Sequence, residues 1–89
     1  MYLYLGQEQV IYTKDIVGIF DLDNASTSRI TKRYLAQAQK EGRIVEVSPD
    51  IPKSFVVSVS GETSKVYLSQ ISPGTLKKRT SFLHGLAMR

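Results

Sequence analysis

"SFVVSVSGETSKVYLSQI", Ser54–Ile71, decides the fold. From Val57 onward its first half alternates apolar and polar side chains, the period of a strand with one buried face. "GETS" is a turn, and "KVYLSQI" returns with valine, tyrosine and leucine, residues suited to a pleated surface. The stretch therefore predicts an antiparallel hairpin. Upstream, "SPDIP" holds two prolines within four residues and reads as a loop or edge segment, and "RIVEV" before it reads as a strand. At the N-terminus "YLYL" and "QVIY" form a second hairpin around Gly6-Gln7-Glu8. "IVGIF" (16–20) is a short, nearly continuous apolar run, which predicts a buried strand. Gly18 within it marks a bulge or the close approach of another backbone.

One helix interrupts these strands. "DLDNASTS" (21–28) is a polar connection rich in N-cap types, and the helix runs from about Ser28 to Glu41 and stops at Gly42. Pro73-Gly74 opens a short C-terminal helix or tail, with Ser72 as cap and Pro73 at the first helical position. The order β-β-β-α-β-β-β-α predicts an α+β fold: a small, mostly antiparallel sheet with one main helix and a short C-terminal one. Eighty-nine residues make one domain, 1–89, with little volume for a deep cavity. No apolar run approaches the ~20 residues that span a bilayer, and the first ten residues lack the basic and apolar regions of a signal peptide. Cysteine is absent, which excludes disulfides and thiolate metal sites and fits a reducing cytoplasm.

The charge is uneven. Residues 1–28 carry one base against four acids, and residues 29–89 carry eleven bases against four acids. With Ile30 set at 0° on the helical wheel, Tyr34, Ala38 and Leu35 fall at about 40°, 80° and 140°, an arc that can pack on a sheet. Lys32 falls at about 200°, and Arg29, Lys40 and Arg33 at about 260°, 280° and 300°, with no carboxylate among them. Such a face forgoes the usual i,i+4 pairing and suits either phosphate or plain water. It lacks clustered amide side chains for reading bases, so phosphate contact is the stronger version of the binding reading.

Chemistry beyond binding finds little support. His84 has no identifiable orienting carboxylate, the glycines form no nucleotide fingerprint, and Asp21 with Asp23 is better explained by capping or a turn than by a metal. The expectation is a non-enzyme with no catalytic residue, no metal and no cofactor. Tyr2 and Tyr4 project to the same side of their strand and are candidates for a subunit interface. Lys77, Lys78 and Arg79 form a terminal charge run whose default is solvation. Arg43 is placed to complement the dipole at the helix end.

Several segments taken together, "MYLYLG", "TKDIVGIFD", "PKSFVV" and "TLKKR", resemble the RemA/RemB family of bacterial extracellular matrix regulators, closest to its RemB branch. The likeness runs from Met1 to about Phe82. It implies a cytoplasmic, ring-like homo-oligomer that binds DNA and activates genes for biofilm matrix production. Repetition around a ring would multiply the few phosphate contacts one small domain makes. In the RemA branch the first DNA-contacting base aligns with Asp15, beside Lys14. That branch's arginine pair aligns with Ile51-Pro52, followed here by Lys53. The resemblance thus ranks Lys14 and Lys53 first as DNA-binding residues, and electrostatics ranks Arg29, Lys32 and Arg33 second. The rival expectation is a homo-oligomeric structural or protein-interaction module without DNA affinity.

Overall fold

The computed structural model describes residues 2–22 and 28–87, with side chains described through Thr80. Asp23, most of the 21–28 connection and the side chain of His84 lie outside the described residues. Among the described residues there are six strands and two helices: β1 (Tyr2–Gly6), β2 (Gln9–Tyr12), β3 (Ile16–Asp21), α1 (Arg29–Lys40), β4 (Ile44–Glu46), β5 (Ser54–Ser60), β6 (Thr63–Ser69) and α2 (Pro73–Ala87). A single 3-10 turn, Thr13–Asp15, joins β2 to β3. The architecture is the expected α+β one, arranged as two sheets: a β1–β2 ribbon and a four-stranded sheet of order β3-β5-β6-β4.

The β5–β6 hairpin is the centre of the molecule. Ser60 pairs with Thr63 across a two-residue turn, and Gly61 there adopts φ 62°, a value that glycine takes without strain. Alternation sends Val56 and Tyr67 to one face of the sheet and Phe55, Val66 and Leu68 to the other. Both faces are covered. The first packs against Leu3, Leu5 and Ile11 of the ribbon and Leu76 of α2. The second packs against Tyr34, Leu35 and Ala38 of α1. The result is three thin layers with a small core on either side of the sheet.

β4 runs parallel to β6, and β3 is antiparallel to β5. β3 and β4 therefore point the same way, and β3-α1-β4 is a crossover that straddles the inserted β5–β6 hairpin. This explains why one pairing in a mostly antiparallel sheet is parallel. Ser28 caps α1 by accepting from the Thr31 backbone N–H, and Gly42, with φ 71°, lets the chain turn away after Glu41.

Three expectations need correction. "IVGIF" is a strand, but an edge strand rather than a buried one. Ile19 is buried, while Val17 is 66% and Phe20 40% exposed. Its register shifts between Ile16 and Gly18, so Gly18 does mark a bulge, and a Cβ there would lie 2.6 Å from the Phe20 ring. Ile30, assigned to the packing arc, is 80% exposed, because the covered arc is centred on Thr31, Leu35 and Ala38, roughly 100° around the helix from Ile30. The C-terminal helix is not short. Its fifteen residues exceed the twelve of α1, with Ser72 capping through Thr75 and Leu76 fully buried beneath it.

The ribbon is tied down by a serine. Leu5 has no partner across the ribbon because the register shifts between Tyr4 and Gly6. Its carbonyl instead accepts from the Ser69 hydroxyl at 2.7 Å, and the same hydroxyl accepts from the Ile71 N–H at 3.1 Å. Ser69→Ala would strip a buried carbonyl and a backbone N–H of their partner, so a loss of about 1–3 kcal/mol is expected in urea unfolding. The ribbon's own turn is the converse case. Gln7 and Glu8 hold φ of 49° and 67°, which Asn-Gly adopts with less strain. Gln7→Asn with Glu8→Gly should raise stability by about 0.5–1 kcal/mol, read as an increase in Tm.

Candidate nucleic-acid interface

Lys14 sits in the 3-10 turn before β3, exposed, with its ammonium 5.3 Å from the centre of the Tyr12 ring. Lys53 is exposed just before β5, and its backbone is clamped on both sides: its N–H donates to Ser69 and its carbonyl accepts from Leu22. The loop leading to it is held by Ser48, whose hydroxyl donates to Gln70 and accepts from the Asp50 N–H. Ile51 is exposed.

These two lysines are not brought together. Because β3 and β5 are antiparallel, Lys14 stands at the Ile16–Ser58 end of the pair and Lys53 beside Leu22 at the other. The length of β3 puts them about 20 Å apart at ~3.3 Å per residue. Arg29, Lys32, Arg33 and Lys40 are exposed on the outward face of α1, opposite the face that packs on the sheet, as the wheel predicts. Arg43 differs. It forms an ion pair with Glu41 at 2.7 Å, donates to Ser64 and lies over the Tyr34 ring. Hydrogen bonds from Gln37 and Arg43 hold the Glu41 carboxyl below its ordinary range, and Glu41 and Tyr34 hold Arg43 above its own. Arg43 is thus occupied at the helix exit rather than presented to a polyanion. Lys77, Lys78 and Arg79 are exposed on α2, and Arg79 reaches the Tyr4 carbonyl at 3.4 Å.

Tyr2 and Tyr4 both face outward from the ribbon, as their spacing requires, while Leu3 and Leu5 face the core. Two neighbours went unnoticed in the sequence. The register sets Tyr12 opposite Tyr2 and Val10 opposite Tyr4. The Tyr2 and Tyr12 rings stack at 4.5 Å, and the Tyr2 hydroxyl donates to that of Tyr12 at 2.9 Å, which raises the Tyr2 pKa. Counting outward from the Gln7-Glu8 turn would set Tyr12 opposite Leu3; the register shift between Tyr4 and Gly6 brings it opposite Tyr2 instead. The face is a strip of exposed tyrosine and valine bordered by Lys14 and Arg79.

A second exposed apolar surface lies on the other side of the sheet. Val17, Phe20, Ile30, Tyr34, Phe55 and Val57 line an open groove of about 380 Å³. Among the described residues no group of three His, Cys, Asp or Glu side chains could hold a metal ion, and no helix is long and apolar enough to cross a membrane. Asp21 is the last residue of β3, paired with Ser54, rather than part of a loop.

Comparison with known proteins identifies the family. Residues 2–80 match the RemA-like family, described as extracellular matrix regulatory protein A-like. The chain is also 40% identical over 83 residues to extracellular matrix regulatory protein B of Bacillus subtilis (strain 168), covering 93% of this chain and 94% of that protein. Coverage of nearly the whole domain at that identity leaves one conclusion: this chain belongs to the RemA-like family of extracellular matrix regulatory proteins.

Proposed function

We propose that this regulator works as a cytoplasmic homo-oligomer, possessing DNA affinity that rests on phosphate contacts, and that it controls genes for extracellular matrix and biofilm formation. The observation that carries this reading is the placement of Lys14 and Lys53. Both are exposed, on short backbone-anchored connections at either end of β3, in a chain whose family acts in matrix regulation. In one copy these two charges are well separated, and the α1 stripe adds to them. A small number of phosphate contacts gives weak binding, and repetition of the domain along a duplex adds them. The lack of clustered amide side chains on the basic face of α1 favours phosphate and shape over base reading. The exposed tyrosines of the ribbon suit contact between copies, where aromatic side chains are enriched.

A rival reading, an oligomeric or protein-interaction module without DNA affinity, draws on the extent of exposed apolar surface. Light scattering combined with a DNA shift assay separates the two, since assemblies that ignore DNA select the rival. For the DNA reading, log affinity should fall linearly with log salt. Lys14→Gln with Lys53→Gln should reduce the magnitude of that slope by about 1 for each lysine that engages a phosphate. An affinity independent of salt, or a double variant indistinguishable from the parent, would refute it.

A further inference from the structure

The face that β5 and β6 turn toward the ribbon changes character along its length. By alternation it carries Val56 opposite Tyr67, then Ser58 opposite Lys65, then Ser60 opposite Thr63 as the hairpin approaches its turn. Val56 and Tyr67 belong to the core with Leu3, Leu5 and Ile11. Beyond them the serines, Thr63, Lys65 and the edge of Tyr67 line a pocket of about 370 Å³, closed on the other side by Tyr12 and Asp15. Ser58 and Tyr67 are only 8% and 9% exposed. Among the described residues neither hydroxyl has a hydrogen-bond partner within the protein, yet neither is sealed from water, so both open into the pocket. Buried hydroxyls are ordinarily hydrogen-bonded, and these two are left to whatever occupies the pocket. Charge is arranged in the same unfinished way. Asp15 and Lys65 line one pocket and, among the described residues, neither forms an ion pair. Ile16, Ser58 and Lys65 pair in one row across the sheet. At ~4.8 Å per strand, the Asp15 backbone beside Ile16 stands about 10 Å from that of Lys65.

We infer that this pocket binds a free α-amino acid with an uncharged polar side chain, its ammonium on Asp15, its carboxylate on Lys65 and its side chain among the hydroxyls. A ligand of one sign leaves one of the two charges unmet, and a phosphate strand would set its anions against Asp15. A seam between copies wants an apolar centre depleted of charge, whereas this pocket presents hydroxyls and one charge of each sign. Its volume lies within the range of small-molecule sites. A hydroxyl both donates and accepts, which suits an amide or a second hydroxyl. The inference goes beyond the DNA reading and stands whether or not Lys14 and Lys53 hold a duplex.

The test titrates the full chain with serine, threonine, asparagine and glutamine in turn, followed by calorimetry and by backbone amide NMR signals. At least one should bind saturably and move the signals of Ser58 and Lys65. The N-acetyl and C-amide forms of that amino acid should each bind about tenfold more weakly. Asp15→Asn should erase the difference between the free amine and its N-acetyl form. Lys65→Gln should erase the difference between the acid and its amide. Tyr67→Phe and Ser58→Ala each remove a hydroxyl without a protein partner, so Tm should hold or rise while affinity falls about threefold. The inference is overturned by no saturable binding of any of these amino acids, by equal binding of the blocked forms, or by affinity indifferent to Asp15→Asn and Lys65→Gln. A lower Tm for Tyr67→Phe also overturns it, because the hydroxyl would then serve the fold. So does a changed particle size for Asp15→Asn or Lys65→Gln in light scattering, which would make the pocket a seam between copies.

Discussion

Burial of the β5–β6 hairpin on both faces is the constraint from which the rest follows. Val56 and Val66 are each fully buried, yet they point to opposite sides of the sheet and belong to different clusters. A sheet with two apolar faces needs two covering layers, and a chain of 89 residues can supply only thin ones. One cover is α1. The other is composite, made of α2 and a two-stranded ribbon that would be marginal by itself. The ribbon is held by Leu3, Leu5 and Ile11 against the sheet and by the hydroxyl of Ser69 on the unpaired Leu5 carbonyl. Spreading a small core across two faces leaves neither cover wide enough to reach the sheet's edges. The exposed tyrosine strip and the exposed β3 edge are direct consequences.

Much of this was legible because it is local. Alternation in Ser54–Ser60, Gly61 in the turn, Ser28 and Gly42 at the ends of α1, and Ser72-Pro73 at the start of α2 each act within a few residues, and each behaves as its chemistry dictates. What was misjudged depended on order in the sheet. A continuous apolar run such as Ile16–Phe20 looks the same whether its strand is central or at the edge, and only the insertion of β5 and β6 between β3 and β4 decides it. Ile30 failed for a related reason. The wheel gives the angles between side chains but not which of them faces the sheet, and the sheet meets α1 roughly 100° around the helix from Ile30.

The charged surface was legible in outline and not in use. The wheel correctly set Arg29, Lys32, Arg33 and Lys40 on one outward face, because rotation about a helix axis is fixed by spacing. It could not show that Ile30 lines one cleft with Val17 and Phe20 of β3, since that proximity comes from the β3-α1-β4 crossover. Arg43 shows the same limit. Its neighbours in sequence include Glu41, but the contacts with Ser64 and Tyr34 that take it out of the free cationic set come from β6 and from α1.

Topology also shapes what a polyanion can meet. Lys14 precedes β3 and Lys53 precedes β5, and adjacent antiparallel strands begin at opposite ends. Two loops that each precede a strand of such a pair are therefore separated by the strand's length whatever their residues. Adding charge, for example by placing a base at Ile51, would thicken one end without closing the gap. A duplex engaging both ends of one copy would have to lie along β3, across the edge where Val17 and Phe20 are exposed. A duplex engaging like ends of successive copies avoids that apolar edge and meets one lysine loop per copy. Under the proposed function the second geometry wins, because placing phosphates over Val17 and Phe20 gains no contact and costs hydration.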